Sequence, residues 1–383
     1  MRVGLDYRPA LVNREGLGRY TRELVRGLVE LELDRELGLF GYTLAPMCYS
    51  RRELGIAGTR AELVRLRLPS RWLAGLMRRM GRGADDLVGG AEVFHHTQYS
   101  ALPVRAAVET AAIFDCIYTY EEAGYVESQA AARMSAAARE LVRRARRVVV
   151  PTHFVGAEVV LALGAHPARV SVVELGCDHV ARHLPPQGFP PAREPFVLTV
   201  SRVDARKNHL RMLEAFELLV REGLPHRWLI VGPRGHGAEV FERALSASPA
   251  RGRVEWRGEV SDAEVARLYA QCACFLFASL HEGFGLPPLE AMACGAPVVS
   301  SAVTSLPEVC ADAALLVEPT DSERIFEAVR RVLCEPELCG DLRRRGPAHA
   351  RRFTWRRCAK ETVLAWRNAL REDGAQPQLR RSL

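Results

Sequence analysis

The sequence has no apolar run near the ~18 residues that a membrane-spanning helix needs, so it does not read as a transmembrane protein. Its opening, Met1-Arg2-Val3-Gly4-Leu5-Asp6, reads as a strand entering a fold. It lacks the apolar stretch and small-residue cleavage site of a signal peptide, so a cytoplasmic location is expected. Ten cysteines occur with no C-x-x-C pair and no repeating spacing. Cys272 and Cys274 flank one alanine inside an apolar segment. This usage argues for buried reduced thiols over a disulfide framework or a zinc site. No internal repeat at a solenoid period is present. The net charge of +7 leaves nucleic acid, an anionic membrane surface or an anionic substrate as partners. No nucleic-acid motif and no aromatic-basic stacking platform accompanies it, so no nucleic-acid partner is expected. The basic residues are mostly arginine and are spread along the chain. The densest run, Arg143-Arg144-Ala145-Arg146-Arg147, suits a solvated helix face or a contact with anionic lipid headgroups.

What is present is length and alternation. At 383 residues the chain exceeds the ~250–300 at which single cores stop growing, so two domains are expected. Short apolar strands alternate with amphipathic helices throughout, the pattern of parallel sheets covered by helices. Strands are expected at Val3–Asp6, Leu37–Leu44, Leu63–Leu68, Glu92–His96, Ala111–Asp115, Arg147–Val150 and Val170–Val173. In the first helix Tyr20, Leu24, Leu28 and Leu31 share one face, with Arg22, Glu23, Arg26 and Glu30 pointing away. Residues 183–195 hold five prolines and read as an interdomain linker. A second series follows, with strands near Phe196–Val200, Arg227–Val231, Arg253–Arg257, Cys274–Phe277, Pro297–Ser300 and Leu315–Val317. Two α/β halves on a proline linker suggest a cleft between them. The tail from 372 to 383 is polar and is expected to be disordered.

Three stretches can carry chemistry. The first is His281-Glu282-Gly283-Phe284-Gly285-Leu286-Pro287-Pro288-Leu289-Glu290, after the strand Cys274–Phe277. Gly283 and Gly285 permit a tight loop, and Pro287 and Pro288 suit a first helical turn. The amides of Phe284, Gly285 and Leu286 would then sit at a helix N-terminus, a site for phosphate. Glu282 and Glu290 bracket the turn, and ionised carboxylates suit vicinal hydroxyls of a sugar or ribose. The second is Ser201-Arg202-Val203-Asp204-Ala205-Arg206-Lys207-Asn208, between the strand Phe196–Val200 and a helix with Leu210, Leu213, Phe216 and Leu219 or Val220 inward. Arg202 and Lys207 are cations for a diphosphate at the carboxyl end of a strand, while Arg206 is read as facing solvent. The third is Arg14-Glu15-Gly16-Leu17-Gly18-Arg19-Tyr20-Thr21, a glycine-bearing loop after the first strand and a plausible wall of the cleft.

With Val231-Gly232-Pro233, Arg257-Gly258-Glu259-Val260-Ser261-Asp262, Leu268-Tyr269 and Phe353-Thr354-Trp355, these stretches resemble the retaining glycosyltransferases of family 4 over nearly all of residues 1–371. The resemblance implies the α/β GT-B architecture, two Rossmann-like doubly wound parallel-sheet domains facing a cleft. Residues 1–182 would bind the acceptor, with a helix at 355–371 crossing back, and 183–354 would bind the nucleotide sugar. Glu282 should contact donor-sugar hydroxyls and Glu290 the ribose, with Gly283, Phe284, Gly285, Leu286 and Val260 around the donor. Tyr269 and its neighbours should lie beside the base. Arg202 and Lys207 should neutralise the diphosphate, in place of a metal, since the chain has no D-x-D motif. Attack should occur on the face from which the phosphate departs, with a phosphate oxygen taking the acceptor proton, so Glu282 is not read as a nucleophile.

In the acceptor-binding half, Gly16, Gly18, Arg19 and His96 are expected on the acceptor side, and Asp115 orients the acceptor. Many relatives carry His-Asp where this chain has Phe114-Asp115, so a histidine contact to the donor sugar is absent; His95 or His96 could approach instead. The expected function is metal-independent, retaining transfer of a hexose to a glycan, glycolipid or other glycoconjugate. GDP-mannose is favoured over UDP-sugars, no cofactor is involved, and the alternative is a catalytically silent relative that binds a sugar nucleotide or serves as a regulatory subunit. The segment 71–82 mixes basic and apolar residues, with Trp72, Leu73, Leu76 and Met80 able to share a helix face. It suits a core helix or an anionic-membrane contact that delivers a lipid-linked acceptor.

Overall fold

The computed structural model of the protein describes residues 1–46, 49–99 and 102–380. The chain divides into two compact units. Unit 1 comprises Met1–Thr119, Glu127–Gly176 and the chain from Trp355 onward; unit 2 comprises Tyr120–Val126 and Cys177–Thr354. The boundary precedes the proline-rich stretch at 183–195 because the 3-10 turn Asp178–His183 is anchored in unit 2 by buried His179.

Unit 1 holds a seven-stranded parallel sheet made of β1 (Val3–Asp6), β2 (Leu37–Tyr42), β3 (Glu62–Leu66), β4 (Val93–His96), β5 (Val108–Ala112), β6 (Arg147–Val150) and β7 (Val170–Val172). Their order is β3-β2-β1-β4-β5-β6-β7. β1, β2 and β4 are buried along their whole length, as strands covered on both faces must be. β5 ends at Ala112, two residues short of Phe114, so Phe114 and Asp115 lie in the loop beyond it instead of ending a strand. The helix Gly16–Glu30 buries Tyr20, Leu24 and Leu28 as their spacing predicts. Arg22 and Glu23 do not point away. Arg22 is buried and donates to the carbonyls of Ala10, Asn13 and Arg14, and buried Glu23 pairs with Arg26.

The helix Ser70–Arg79 also differs from its expected face. Leu73 and Met77 enter a core with Phe40, Tyr42 and Phe94. Trp72, Leu76 and Met80, at successive four-residue steps, stay 61%, 41% and 64% exposed. The closing helix, Trp355–Arg380, buries Trp355 and Trp366 and packs on Gly16–Glu30. It does not stop before the expected tail: Asp373 accepts from Arg146 at 2.7 Å and Glu372 pairs with Arg147. Residues 381–383 of that tail lie outside the described residues. These pairs, with Arg144 bound to Glu109, commit most of the basic run internally; among the described residues Arg143 pairs with Glu140 on its own helix.

Unit 2 holds a six-stranded parallel sheet made of β8 (Phe196–Val200), β9 (Arg227–Val231), β10 (Val254–Trp256), β11 (Cys274–Phe277), β12 (Val298–Ser301) and β13 (Leu315–Val317), in the order β10-β9-β8-β11-β12-β13. Its core surrounds Trp228, which is fully buried, packs on Phe216 and Phe241 and donates Nε1–H to Thr199 Oγ1 at 3.0 Å. Truncating such a ring costs about 3–5 kcal/mol. From the helix His209–Arg221, Met212, Leu213, Phe216 and Leu219 face this core, whereas Leu210 is exposed. The strand order reverses between β8 and β11, and in open α/β sheets that reversal opens a crevice at the strands' carboxyl ends.

Nine cysteines are free among the described residues, including buried Cys272 and Cys274. No helix of the described residues is long and apolar enough to cross a membrane.

Candidate active site

Three loops meet at the carboxyl ends of β8, β11 and β12. After β8 the chain forms the 3-10 turn Ala205–Lys207, started by Asp204, whose Oδ1 accepts from the Lys207 amide at 3.1 Å. Asn208 follows with φ of 63°, a left-handed conformation that asparagine tolerates better than most residues. Its Nδ2 donates to the carbonyls of Ala278 at 2.8 Å and Pro319 at 2.7 Å. The Leu280 amide donates to the Arg206 carbonyl at 2.9 Å. The β8 and β11 loops are thereby laced together, and the turn brings two consecutive cations onto one carboxylate.

That carboxylate is Glu282. Lys207 Nζ pairs with its Oε1, and Arg206 Nη1 lies 3.1 Å from its Oε2. Arg206 also donates to the His281 carbonyl. Arg206 therefore belongs to the site and does not face solvent, because the 3-10 turn directs both cations inward. The β12 loop holds the backbone of Glu282. Its amide donates to Thr304 Oγ1 at 3.1 Å, and its carbonyl accepts from Ser305 Oγ at 2.8 Å. Burial pushes the Glu282 carboxyl up, but Arg206 and Lys207 outweigh it and set it at about 2. Burial and then Arg206 push the Lys207 ammonium down, with Glu282 opposing them. Lys207 also sits 4.9 Å from the centre of the Phe277 ring.

Beyond Glu282 the chain turns into the helix Leu286–Ala293, with Pro287 and Pro288 in its first turn as expected. Gly285 starts it at φ of 97°, and a Cβ there would lie 2.5 Å from Leu306, so only glycine fits. The Phe284 ring is buried against Phe353, which leaves its backbone to the turn. Glu290, one turn inside, is buried rather than solvated. Its Oε1 lies 2.9 Å from His179 Nε2, and its Oε2 accepts from Tyr269 OH at 3.1 Å. Both partners fix a carboxylate that can accept from paired hydroxyls.

Arg202 is exposed and lays its stem over Gly235, where a Cβ would lie 2.7 Å from Arg202 Cγ and Cδ. Val260 is half-buried ahead of the helix Asp262–Gln271, which Ser261 caps. The Gly232 amide donates to the Gly258 carbonyl at 2.7 Å, joining the loops after β9 and β10. His281 is buried beneath Tyr120 and Tyr125, at ring separations of 5.0 and 6.4 Å.

The residues expected on the acceptor side lie in unit 1. Gly16 and Gly18 belong to the helix Gly16–Glu30 and not to a loop. A Cβ on Gly18 would lie 1.8 Å from the Asn13 carbonyl oxygen, so Gly18 lets that helix pass the end of helix Arg8–Val12. Arg19 is half-buried. His96 is fully buried, with Nε2 2.9 Å from Glu109, which also binds Arg144. That makes His96 a core residue and not an acceptor-side group. His95 is likewise buried, between Thr110 and Tyr20. Phe114 packs edge-on to Tyr20 at 4.5 Å, and the Asp115 carbonyl accepts from Tyr99 OH at 3.0 Å.

The sequence did not single out His179, Asn208, Thr304 or Ser305. Each acts on another loop's residue, and no local spacing marks such a partnership. Among the described residues no group of three or more His, Cys, Asp or Glu side chains could hold a metal ion.

Comparison with known proteins bears on the whole chain. Residues 182–349 match the family described as glycosyl transferases group 1, and residues 15–176 match the glycosyl transferase 4-like domain. The O-antigen chain mannosyltransferase B of Escherichia coli is 29% identical over 366 residues, covering 92% of this chain and 96% of that protein. The sucrose-phosphate synthase of Thermosynechococcus elongatus superposes with a TM-score of 0.74 at 19% identity, covering 96% of this chain and 98% of that one. Anabaena Alr3699/HepE, solved with UDP and glucose, also superposes with a TM-score of 0.74, at 14% identity and with 96% and 99% of the two chains covered.

Proposed function

For this chain, which belongs to the glycosyltransferases that pair a 4-like domain with a group 1 domain in the GT-B fold, we propose retaining transfer of mannose from GDP-mannose to a glycan or lipid-linked acceptor. The observation that carries the reading is the cluster of Glu282, Lys207 and Arg206 at the carboxyl ends of β8 and β11, with Glu290 fixed by His179 one helical turn further on. The donor sugar would lie on Glu282 and the ribose on Glu290. Lys207 and Arg202 would take the charge that grows on the diphosphate as the bond from the anomeric carbon breaks, so the step needs no metal. The acceptor oxygen would bond to that carbon from the same face, its proton passing to a phosphate oxygen of the departing GDP. The mannosyltransferase relative favours mannose as the sugar, and a cytoplasmic site of action is part of the proposal. A peripheral membrane contact through the helix Ser70–Arg79 would bring a lipid-linked acceptor to the protein.

The test is an assay with GDP-mannose and a membrane extract as acceptor source, with and without a chelator. Mannose incorporated in the α configuration and undiminished by chelation supports the proposal. A β product contradicts retention, and loss on chelation contradicts metal independence. A clear preference for UDP-glucose would correct the donor. A catalytically silent relative, suggested by Phe114 against Tyr20, would bind GDP and incorporate nothing.

A further inference from the structure

Unit 1 carries a second basic concavity, at the amino-terminal end of β6 and so at the opposite end of that sheet from the loop carrying Phe114 and Asp115. It encloses about 400 Å³. Arg139 and Arg143, one turn apart on the helix Ser128–Arg144, line one side, and His166 and Arg169 line the other. The wall between them is apolar, formed by buried Val148 and Leu163.

Charge is unbalanced here. Arg143 pairs with Glu140, whereas the guanidinium groups of Arg139 and Arg169 make no hydrogen bond or ion pair among the described residues. The carboxyl ends of the helices Ser128–Arg144 and His153–Leu163 also meet at this concavity. Each supplies about half a negative charge at most. With Glu140 that offsets roughly two of the three guanidinium charges and leaves an excess that an anion would neutralise. His166 Nδ1 accepts from the Ala168 amide at 3.2 Å, which leaves the ring proton on Nε2 as a further donor. Guanidinium forks suit a phosphate, and the apolar wall suits a carbon skeleton esterified to it.

We propose that this concavity is a binding site for a phosphate monoester, held by Arg139 and Arg169 and separate from the candidate active site. The ester could be a soluble metabolite or a lipid headgroup. The experiment is a binding titration of the full chain, by calorimetry with glycerol 3-phosphate and by co-sedimentation with vesicles containing phosphatidic acid. The variants are Arg139→Ala/Arg169→Ala, Arg139→Lys/Arg169→Lys and, as a control on the other site, Lys207→Ala. Loss of charge-assisted hydrogen bonds should weaken binding about tenfold or more in the alanine pair. The lysine pair should recover part of it, and Lys207→Ala should bind as the wild type does. Binding of the soluble ester with this dependence supports a metabolite site, and binding of vesicles alone with this dependence supports a headgroup site. The proposal is overturned if neither probe binds, if the arginine variants bind normally, or if Lys207→Ala abolishes binding. Since nucleotide binding is read separately through Lys207, failure here leaves the transferase reading standing, and the reverse also holds.

Discussion

His179 and Glu290 are 111 residues apart in the chain and 2.9 Å apart in the fold. The pair joins the 3-10 turn that opens unit 2 to the helix behind the candidate donor loop, and it is buried on both sides. Replacing His179 by alanine takes one hydrogen bond from a buried carboxylate. An expected loss of about 1–3 kcal/mol in stability follows, read by urea unfolding. Nucleotide affinity should fall with it, because Glu290 would lose one of the groups that position its carboxylate. Unchanged affinity would show that Glu290 does not touch the ribose.

Glu282 sets a pH dependence. Its carboxyl is held at about 2, against 4.5 unperturbed. The unfolded chain therefore binds the proton first as pH falls, so this group's stabilisation is complete above about 4.5 and is lost as pH approaches about 2. The wild type should lose melting temperature across that window faster than Glu282→Gln, which has no such proton to bind. Parallel acid profiles for the two proteins would contradict the ion-pair assignment.

Much of the fold is legible in the sequence, because parallel strands buried on both faces read as apolar runs. β6 and β11 have the bounds that their apolar segments predict. The candidate donor loop is legible too, since Gly285 has a positive φ that other residues adopt only with strain and the prolines that follow suit a first helical turn. What is not legible is pairing over distance. Arg206 looks like a solvent residue until a 3-10 turn directs it at Glu282, and His96 looks available until Glu109 is found beside it on β5. Arg22 and Glu23 lie on the polar side of a helical wheel, yet neighbouring segments bury them.

Lys207 and Glu282 should both be needed for turnover, each for its own reason. In the proposed mechanism Lys207 faces the departing diphosphate, so Lys207→Ala should cut mannose transfer by about a hundredfold or more. Glu282→Gln keeps the shape but turns one accepting oxygen into a donating amide and leaves two buried cations without their counter-charge. It should reduce transfer by a similar factor and lower stability as well. Steady-state kinetics with GDP-mannose, alongside melting curves, separates the two effects. Near-normal turnover in either variant would remove that residue from the chemistry.

The exposed stripe of Trp72, Leu76 and Met80 lies among Arg71, Arg78, Arg79 and Arg82, all exposed. Such a face suits the boundary between headgroups and acyl chains of an anionic membrane. Arg78→Glu/Arg79→Glu should weaken co-sedimentation with phosphatidylglycerol vesicles about tenfold or more, at about 1 kcal/mol for each basic residue lost. Trp72→Ser should weaken it at any salt concentration. Vesicle binding unchanged in both variants would leave this helix no membrane role.

The central claim is that unit 2 holds a sugar nucleotide through Lys207, and a thermal-shift screen against GDP, UDP, ADP and dTDP, with and without magnesium, tests it most directly. A ligand that binds only the folded state raises the melting temperature by mass action. The expected result is a clear rise with GDP, indifferent to magnesium and lost in Lys207→Ala. No rise with any of the four at millimolar concentration, or a rise that survives in Lys207→Ala, would contradict it.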